Sequence, residues 1–218
     1  GRMLGVATDD LEVAAGHVRC RLSPERGVTV VKVVDEMHKQ GKRCVGWGWQ
    51  DITTKDVDPT TSQGDAYQTF GWATQLAEVE VDTETGKVTI EKIVSAVDAG
   101  KAINPKQCQM QNEGSMIMSL GSALFEEMVF DGGQPINATF LEYMPPSMED
   151  QPKRFESVLV ETPHPEGPYG AKGVGEAALG PVEPAIGNAI ANALGGRRIR
   201  DLPMRPDRVL KAVQEGKA

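Results

Sequence analysis

The segment from 170 to 176 combines glycines, one lysine and one carboxylate in a way that could serve chemistry. It reads Gly-Ala-Lys-Gly-Val-Gly-Glu, and an apolar, helix-like stretch follows it. Glycines at this density allow the backbone to approach a bulky ligand and to adopt positive φ. A carboxylate at the end of such a loop, Glu176, could be directed into a site by the backbone alone. The alternative is a tight turn before a helix, and a short glycine motif does not separate the two interpretations.

Other catalytic or metal-binding chemistries are not supported by the motifs. The loop lacks the Gly-x-x-x-x-Gly-Lys-Ser/Thr spacing of a phosphate-binding P-loop. No Gly-x-Ser-x-Gly nucleophile elbow occurs. The three histidines form no metal-ligand pattern, and each is expected on the surface or as a cap: His17, His38 and His164.

Length, charge and cysteine usage narrow the class of protein. The chain has 218 residues, enough for one large domain or two small ones, and its 39% hydrophobic content is ordinary for a soluble globular protein. A formal net charge of −8 argues against a nucleic-acid partner. No apolar stretch approaches the ~20 residues of a membrane-spanning helix, so we expect no membrane partner. Cys20, Cys44 and Cys108 match neither a disulfide framework nor a metal-ligand spacing, which favours a cytoplasmic setting.

Hydrophobic periodicity predicts short strands and helices in the first half. We predict a helix over 28–40, an extended piece over 44–49 and a long surface loop over 53–68. Apolar and acidic residues alternate from 77 to 82, which indicates a half-buried strand that turns back into 87–97 as a hairpin. The apolar phase shifts inside the second strand, so a β-bulge is predicted near Glu91 and Lys92. The tryptophans are expected to pack against a sheet rather than to line an entrance: Trp47, Trp49 and Trp72.

The longest predicted helix covers residues 106–128. Apolar and small residues recur at three- and four-residue spacing and predict its inward face: Met110, Gly114, Ile117, Met118, Gly121, Leu124, Phe125 and Met128. Its serines and glycines favour close packing over ligand approach, and its methionines favour core filling. Asp98 and Asn104, ahead of the helix, are expected to hydrogen-bond local backbone.

The second half predicts further strands and two helices. We expect a turn at 131–135, strands at 139–143 and 155–160, a helix at 184–194 and a last helix opening at Pro206. Together, the elements predict an α+β fold, with a mixed β-sheet packed against helices.

Several motifs in a fixed order resemble one family over residues 76–213. After the hairpin they read Val97-Asp98-Ala99-Gly100, Ile103-Asn104-Pro105, Gln111-Asn112-Glu113-Gly114, Leu141-Glu142-Tyr143-Met144-Pro145, Gly170 to Glu176, and Leu202-Pro203-Met204-Arg205-Pro206. This order resembles the molybdenum hydroxylases, the family of xanthine oxidase and aldehyde oxidoreductase. The resemblance implies the second half of the molybdenum cofactor-binding domain. It divides the chain into residues 1–75, the tail of a preceding segment, and 76–218, the C-terminal molybdopterin-binding subdomain.

What the resemblance implies is hydroxylation of an electron-poor carbon, in an N-heterocycle or an aldehyde, with water as the oxygen source. Molybdenum would be held by molybdopterin, which in this family often carries a cytosine nucleotide, without a direct protein ligand. Glu176 would be the general base that takes a proton from the metal-bound hydroxyl while hydride passes to the metal centre. Gln111 would present its amide to the pterin or its phosphates. The remaining implied cofactor contacts precede the base: Lys172, Gly173, Val174 and Gly175.

The resemblance also has gaps, and these imply partners. Complete molybdenum-binding chains are several times longer, and the glycine-rich loop of their first half is absent here. The implied partners are a complementary molybdopterin-binding half together with iron–sulfur and flavin subunits, which alone would carry Fe-S clusters and FAD. We expect a large exposed apolar surface where the missing half packs. Arg205 also departs from the Ser or Thr that often precedes this proline in the family and that would cap a helix better.

Two functional interpretations stay open. In the first, the chain is part of a catalytic subunit that acts on a small-molecule substrate, whose identity these residues do not specify. In the second, it is a non-catalytic binding or assembly module that retains the fold. Lys172 likewise has two interpretations, a solvated loop lysine or a contributor to the electrostatics of the site.

Overall fold

The computed structural model describes residues 1–49 and 54–216, and the chain forms two compact units, Gly1–Asp51 and Ile52–Ala218. The domain boundary expected after residue 75 stays a prediction. In the first unit, a 3₁₀ turn at Thr8–Asp10 leads into an antiparallel sheet of three strands, and a helix follows. These elements are β1 Leu11–Ala14, β2 His17–Cys20, β3 Ser23–Thr29 and α1 Val30–Lys39.

Helix α1 confirms the helix predicted over 28–40, with a start two residues later because Val28 and Thr29 end β3. The Thr29 hydroxyl caps the helix by accepting a hydrogen bond from the Lys32 amide at 3.2 Å. Residues 42–49 form no regular secondary structure. The prediction that the tryptophans pack against a sheet is wrong, because all three side chains are largely exposed: Trp47, Trp49 and Trp72.

The second unit is built on a mixed sheet. Its strands are β4 Ala73–Val81, β5 Val88–Asp98, β6 Phe130–Asp131, β7 Gln134–Pro135 and β8 Arg154–Val160. The main sheet has the order β4-β5-β8, with β4 antiparallel and β8 parallel to β5. Residues 54–68 contain no strand or helix, which agrees with the predicted surface loop, while Thr53 lies outside the described residues. The α+β fold with a mixed sheet is confirmed.

The predicted hairpin and its bulge are both confirmed. Glu78 pairs with Lys92 and Val79 pairs with Ile90, so Glu91 is the extra residue in β5. The slip lets inward residues on both sides of the bulge reach the same core.

Helix α2, Pro105–Leu124, ends four residues earlier than predicted and turns a different face inward. Met110 and Met118 are exposed, whereas the buried face carries Asn112, Ser115, Met116, Ser119, Leu120, Gly121, Ala123 and Leu124. The predicted apolar face is therefore wrong in part, because this helix packs against loop backbone that polar side chains can hydrogen-bond. The helix ends before two adjacent glutamates, which would interact unfavourably with the negative end of its dipole. Glu127 instead forms ion pairs with Arg205 and Arg208, with nitrogen–oxygen distances of 2.9 Å in each.

The remaining elements agree with the sequence except at one strand. The turn predicted at 131–135 joins β6 to β7, and β8 confirms the strand at 155–160. The strand predicted at 139–143 is wrong, because the amides of Glu142 and Tyr143 both bond to the Thr139 carbonyl and close a turn. Helices α3, Val182–Ala193, and α4, Pro206–Gln214, confirm the last two predictions. Arg205 precedes α4 without a side-chain cap.

The core of the second unit lies between the sheet and the three helices. Its least exposed apolar side chains come from β5, α2, α3 and α4: Ile93, Met116, Leu120, Ile186, Ile190 and Val209. Large apolar side chains also remain exposed outside this core, including Phe140, Leu141 and Met148. The expected apolar surface for a missing half stays a prediction. None of the helices in the described ranges is long and apolar enough to cross a membrane.

Candidate functional site

The loop 170–176 lies at the edge where β5 and β8 end. These strands are parallel, so their carboxyl ends, Asp98 and Val160, meet at the same edge. Gly100 and Ala171 form an antiparallel bridge, in which the Lys172 amide donates to the Ala99 carbonyl at 2.9 Å. The segment after β5 therefore holds the start of the loop by backbone hydrogen bonds.

Gly100 is required for this approach. Its φ is +59°, and a Cβ at this position would lie 2.4 Å from the Gly170 carbonyl oxygen. Any other residue would combine left-handed backbone with a clash against backbone that cannot move aside. The motif Val97-Asp98-Ala99-Gly100 thus acts on the loop more than seventy residues later in the sequence.

Lys172 forms a buried ion pair with Asp98. Its Nζ lies 2.7 Å from Asp98 Oδ2, and each side chain is only 8% exposed. Asp98 Oδ1 also accepts from the amides of Gly100 and Thr162, at 2.9 and 3.1 Å. The expected local backbone bonds of Asp98 are confirmed, whereas a solvated Lys172 is excluded.

The environment of Asp98 lowers the pKa of its carboxyl. Burial alone would raise this pKa, since it disfavours the charged form. The hydrogen bonds from Lys172, Gly100 and Thr162, together with the lysine's positive charge, outweigh burial. Asp98 is therefore ionised at neutral pH, and it compensates the charge of the lysine.

Gln111 lies on the exposed side of α2 and faces the same groove as the start of the loop. The groove has a volume of about 610 Å³, and its walls come from the segment after β5, the first turns of α2 and the loop. Gln111, Lys172 and Val174 all line it, together with Gln107 and Cys108. Asn104 caps α2 by accepting from the Gln107 amide at 3.2 Å, as predicted for its local backbone bonding. The structure therefore brings three of the six predicted site residues to one groove.

Glu176 occupies a bend beyond this groove and is exposed. Its carboxylate makes no hydrogen bond or ion pair with any residue that the structure describes. Gly173 and Gly175, before it, are also exposed; neither has positive φ, and no atom lies within 4 Å of an added Cβ. Within the described residues, neither position therefore requires a glycine for close packing or for positive φ.

A buried polar network joins α2 to the sheet, and it was not predicted. Asn112 is fully buried, accepts from the Ser95 hydroxyl at 2.7 Å and donates to the Ser157 hydroxyl at 2.8 Å. The signal in the sequence was the polar residues at 112, 115 and 119, whose spacing places them on one helix face.

Among the histidines, His164 is buried rather than at the surface, and its Nδ1 accepts from the Glu166 amide as a turn cap. Across the described ranges, no three His, Cys, Asp or Glu side chains are grouped to hold a metal ion.

Comparison with known proteins identifies the family. Residues 1–152 match the family model described as a molybdopterin cofactor-binding domain. The chain belongs to this family, whose members include molybdenum hydroxylases of the xanthine dehydrogenase and aldehyde oxidoreductase type. The matched range starts at residue 1, so the similarity to the family extends through the first 75 residues, where the sequence motifs did not reach. It includes Gln111 and ends before the loop 170–176.

Individual relatives extend the similarity over nearly the whole chain. The probable hypoxanthine oxidase XdhD of Escherichia coli K12 is 31% identical over 216 residues, covering 98% of this chain and 21% of that protein. A membrane-bound aldehyde dehydrogenase of Gluconacetobacter polyoxogenes, named for pyrroloquinoline quinone, is 35% identical over 175 residues, covering 79% and 22%. The solved aldehyde oxidoreductase of Desulfovibrio gigas superposes with a TM-score of 0.73 at 31% identity, covering 83% of this chain and 20% of that one. The chain spans about a fifth of the length of these curated relatives.

Proposed function

We propose that this chain is part of the molybdopterin-binding catalytic subunit of a molybdenum hydroxylase, in which Glu176 is the general base. The observation that carries the proposal is the pair Gly173 and Gly175 beside an unpartnered carboxylate. Both glycines are exposed, and no described residue packs so closely that it requires them to lack a side chain. Their amides donate to no described residue and are open to a group from outside the chain, and Glu176 follows directly.

The residues present suit a molybdopterin. Gln111 offers an amide with both donors and acceptors at the groove wall, which matches the polar edges of a pterin or its phosphates. Val174 adds an apolar wall, and Gly173 and Gly175 leave their backbone amides open to contact. The Lys172 ammonium is held by Asp98, so Lys172 would contribute its backbone and its stem rather than a free charge.

When bound, the cofactor supplies the redox centre for water-derived hydroxylation of an electron-poor carbon in an N-heterocycle or an aldehyde. The role of this chain is to place a carboxylate that accepts a proton at Glu176 Oε. The carboxylate is exposed and has no competing donor among the described residues, so it is available to take that proton. A positioned general base contributes about 10²- to 10⁴-fold in rate.

The remainder of such an enzyme would come from outside this chain. We infer a complementary molybdopterin-binding half, iron–sulfur and flavin subunits that carry the Fe-S clusters and FAD, a cofactor in the cytosine dinucleotide form and a cytoplasmic location. Exposed apolar side chains such as Phe140 and Leu141 support packing against further protein.

A non-catalytic binding or assembly module is the second candidate function. The exposed side chains of Phe140 and Leu141 favour it, because they suit packing against further protein whether or not the chain is catalytic. In this reading the fold and the groove are retained, whereas the carboxylate has no catalytic role.

The two candidate functions predict different effects of replacing Glu176 in the complete enzyme. Turnover of hypoxanthine and of benzaldehyde would be measured for Glu176→Gln, together with molybdopterin content after release and oxidation to a fluorescent pterin. Glu84→Gln is the matched control, because Glu84 is exposed in the hairpin turn at the opposite end of β5. We expect Glu176→Gln to lower turnover by about 10²- to 10⁴-fold at near-normal molybdopterin content. Retained turnover would refute the base, and a native complex without molybdopterin would favour the assembly module.

A further inference from the structure

Three side chains hold the backbone on both sides of Glu176. The Ser115 hydroxyl donates to the Gly175 carbonyl at 3.0 Å, immediately before the glutamate. The Gln75 amide donates to the Ala178 carbonyl at 2.7 Å, and the Ser119 hydroxyl donates to the Leu179 carbonyl at 2.9 Å. The carbonyls one residue before Glu176 and two and three residues after it are therefore each fixed by a side chain from α2 or β4.

These contacts matter because Glu176 has no side-chain anchor of its own. Its carboxylate bonds to nothing within the described residues. Its position therefore depends on where the backbone is held. The Leu179 amide donates to the Glu176 carbonyl at 3.0 Å, so a shift of the segment that follows would move the glutamate with it.

The donors are placed where apolar residues would otherwise be expected. Ser115 and Ser119 are each 5% exposed and lie four residues apart on the buried face of α2. Gln75 points inward from β4, where its Nε2 also donates to the Ser95 hydroxyl while its Oε1 is buried without a partner. An unmet buried acceptor is unfavourable, and an apolar side chain would avoid it. Such a side chain could not hold the Ala178 carbonyl.

We infer that Ser115, Gln75 and Ser119 are positioning residues for Glu176. Through the backbone they fix the direction in which the carboxylate leaves the loop. This inference rests on the proposed function of Glu176, and it concerns residues that have no predicted contact with cofactor or substrate.

The test uses the complete enzyme with Ser115→Ala and, as a second variant, Gln75→Leu, which keeps the volume but removes the amide. Ser122→Ala is the control, because this hydroxyl on the same helix bonds to Glu183 and to the Ser119 carbonyl rather than to the loop. Ser115→Thr retains the hydroxyl and should restore the wild-type behaviour.

The first readout is hydrogen exchange of a peptide that covers residues 175–179. Without the Ser115 hydroxyl, the Gly175 carbonyl loses the side-chain donor that the structure gives it, so the loop should open more often. We expect exchange to accelerate about tenfold in Ser115→Ala but not in the control. The second readout is kcat at equal molybdopterin content, which should fall about tenfold with KM unchanged. Unchanged exchange, or faster exchange with unchanged kcat, would overturn the inference.

A double variant separates this inference from the proposed function. If Ser115 acts through Glu176, Ser115→Ala should cause no further loss of kcat on the Glu176→Gln background. An additional loss there would overturn the positioning role. Failure of the proposed function would appear separately, as full turnover of the Glu176→Gln single variant.

Discussion

Removal of the Asp98 carboxylate should release the start of the loop. The free-energy loss should be larger when Asp98 is replaced than when Lys172 is replaced. In Asp98→Asn, the Lys172 ammonium is left buried, and no other described residue bonds to it. Breaking a buried pair by removing one partner costs about 3–5 kcal/mol. In Lys172→Met, the carboxylate keeps the amide donors of Gly100 and Thr162, so the loss should be nearer the 1.5–3 kcal/mol of one charged hydrogen bond.

Hydrogen exchange of the Lys101 and Lys172 amides measures this cost locally. Both amides donate across the bridge that the ion pair supports, to Gly170 and Ala99. Since each 1.4 kcal/mol is a factor of ten, a loss of about 3 kcal/mol accelerates exchange by roughly a hundredfold. We expect this acceleration in Asp98→Asn and a smaller one in Lys172→Met, with the double variant costing less than the sum of the two. Equal costs for the two single variants would refute the asymmetry, and full additivity would refute the coupling between the two side chains.

Three further outcomes follow from the same geometry. The pKa of the Asp98 carboxyl is lowered from 3.8, so its contribution to stability is complete above that value and is lost as pH falls through the lowered pKa. Protection of the Lys172 amide from exchange should therefore weaken below about pH 4, and constant protection would contradict this. In denaturant titrations of the chain, Gly100→Ala should lower the free energy of unfolding by about 3 kcal/mol or more, whereas Gly173→Ala should change it by less than about 0.5 kcal/mol. In the complete enzyme, Gly173→Ala should nevertheless reduce the molybdopterin content. Asn104→Ala should cost about 1 kcal/mol through the lost cap of α2, and an unchanged denaturation midpoint would argue against that cap.

Local patterns predicted the elements whose causes are local. The alternation of residues 77–82 and the phase change near Glu91 follow from side-chain direction in a strand, so both the hairpin and its bulge could be predicted. Pro206, in the first turn of α4, predicted the start of that helix in the same way. The false strand at 139–143 shows the limit, because residue types common in strands, such as Thr139, Phe140 and Tyr143, also occur in turns. The Thr139 carbonyl selects the turn by accepting two amides.

The candidate site is formed by contacts between segments that are distant in the sequence, and local periodicity does not predict such contacts. The inward face of α2 was predicted from its apolar residues, but it packs partly against carbonyls of a loop sixty residues later. The partner of Lys172 lies 74 residues earlier, at Asp98, and no local pattern links them. The motifs did indicate that these segments belong together, because their order resembled a family in which one site requires all of them.

The central claim is that Glu176 is the base, and the reductive half-reaction tests it most directly. The complete enzyme, loaded with molybdopterin to equal content in wild type and Glu176→Gln, would be mixed anaerobically with hypoxanthine or benzaldehyde in a stopped-flow spectrometer. We expect the rate of enzyme reduction by substrate to fall by about 10²- to 10⁴-fold in Glu176→Gln, as for loss of a general base. Reduction of the variant at the wild-type rate would contradict the assignment.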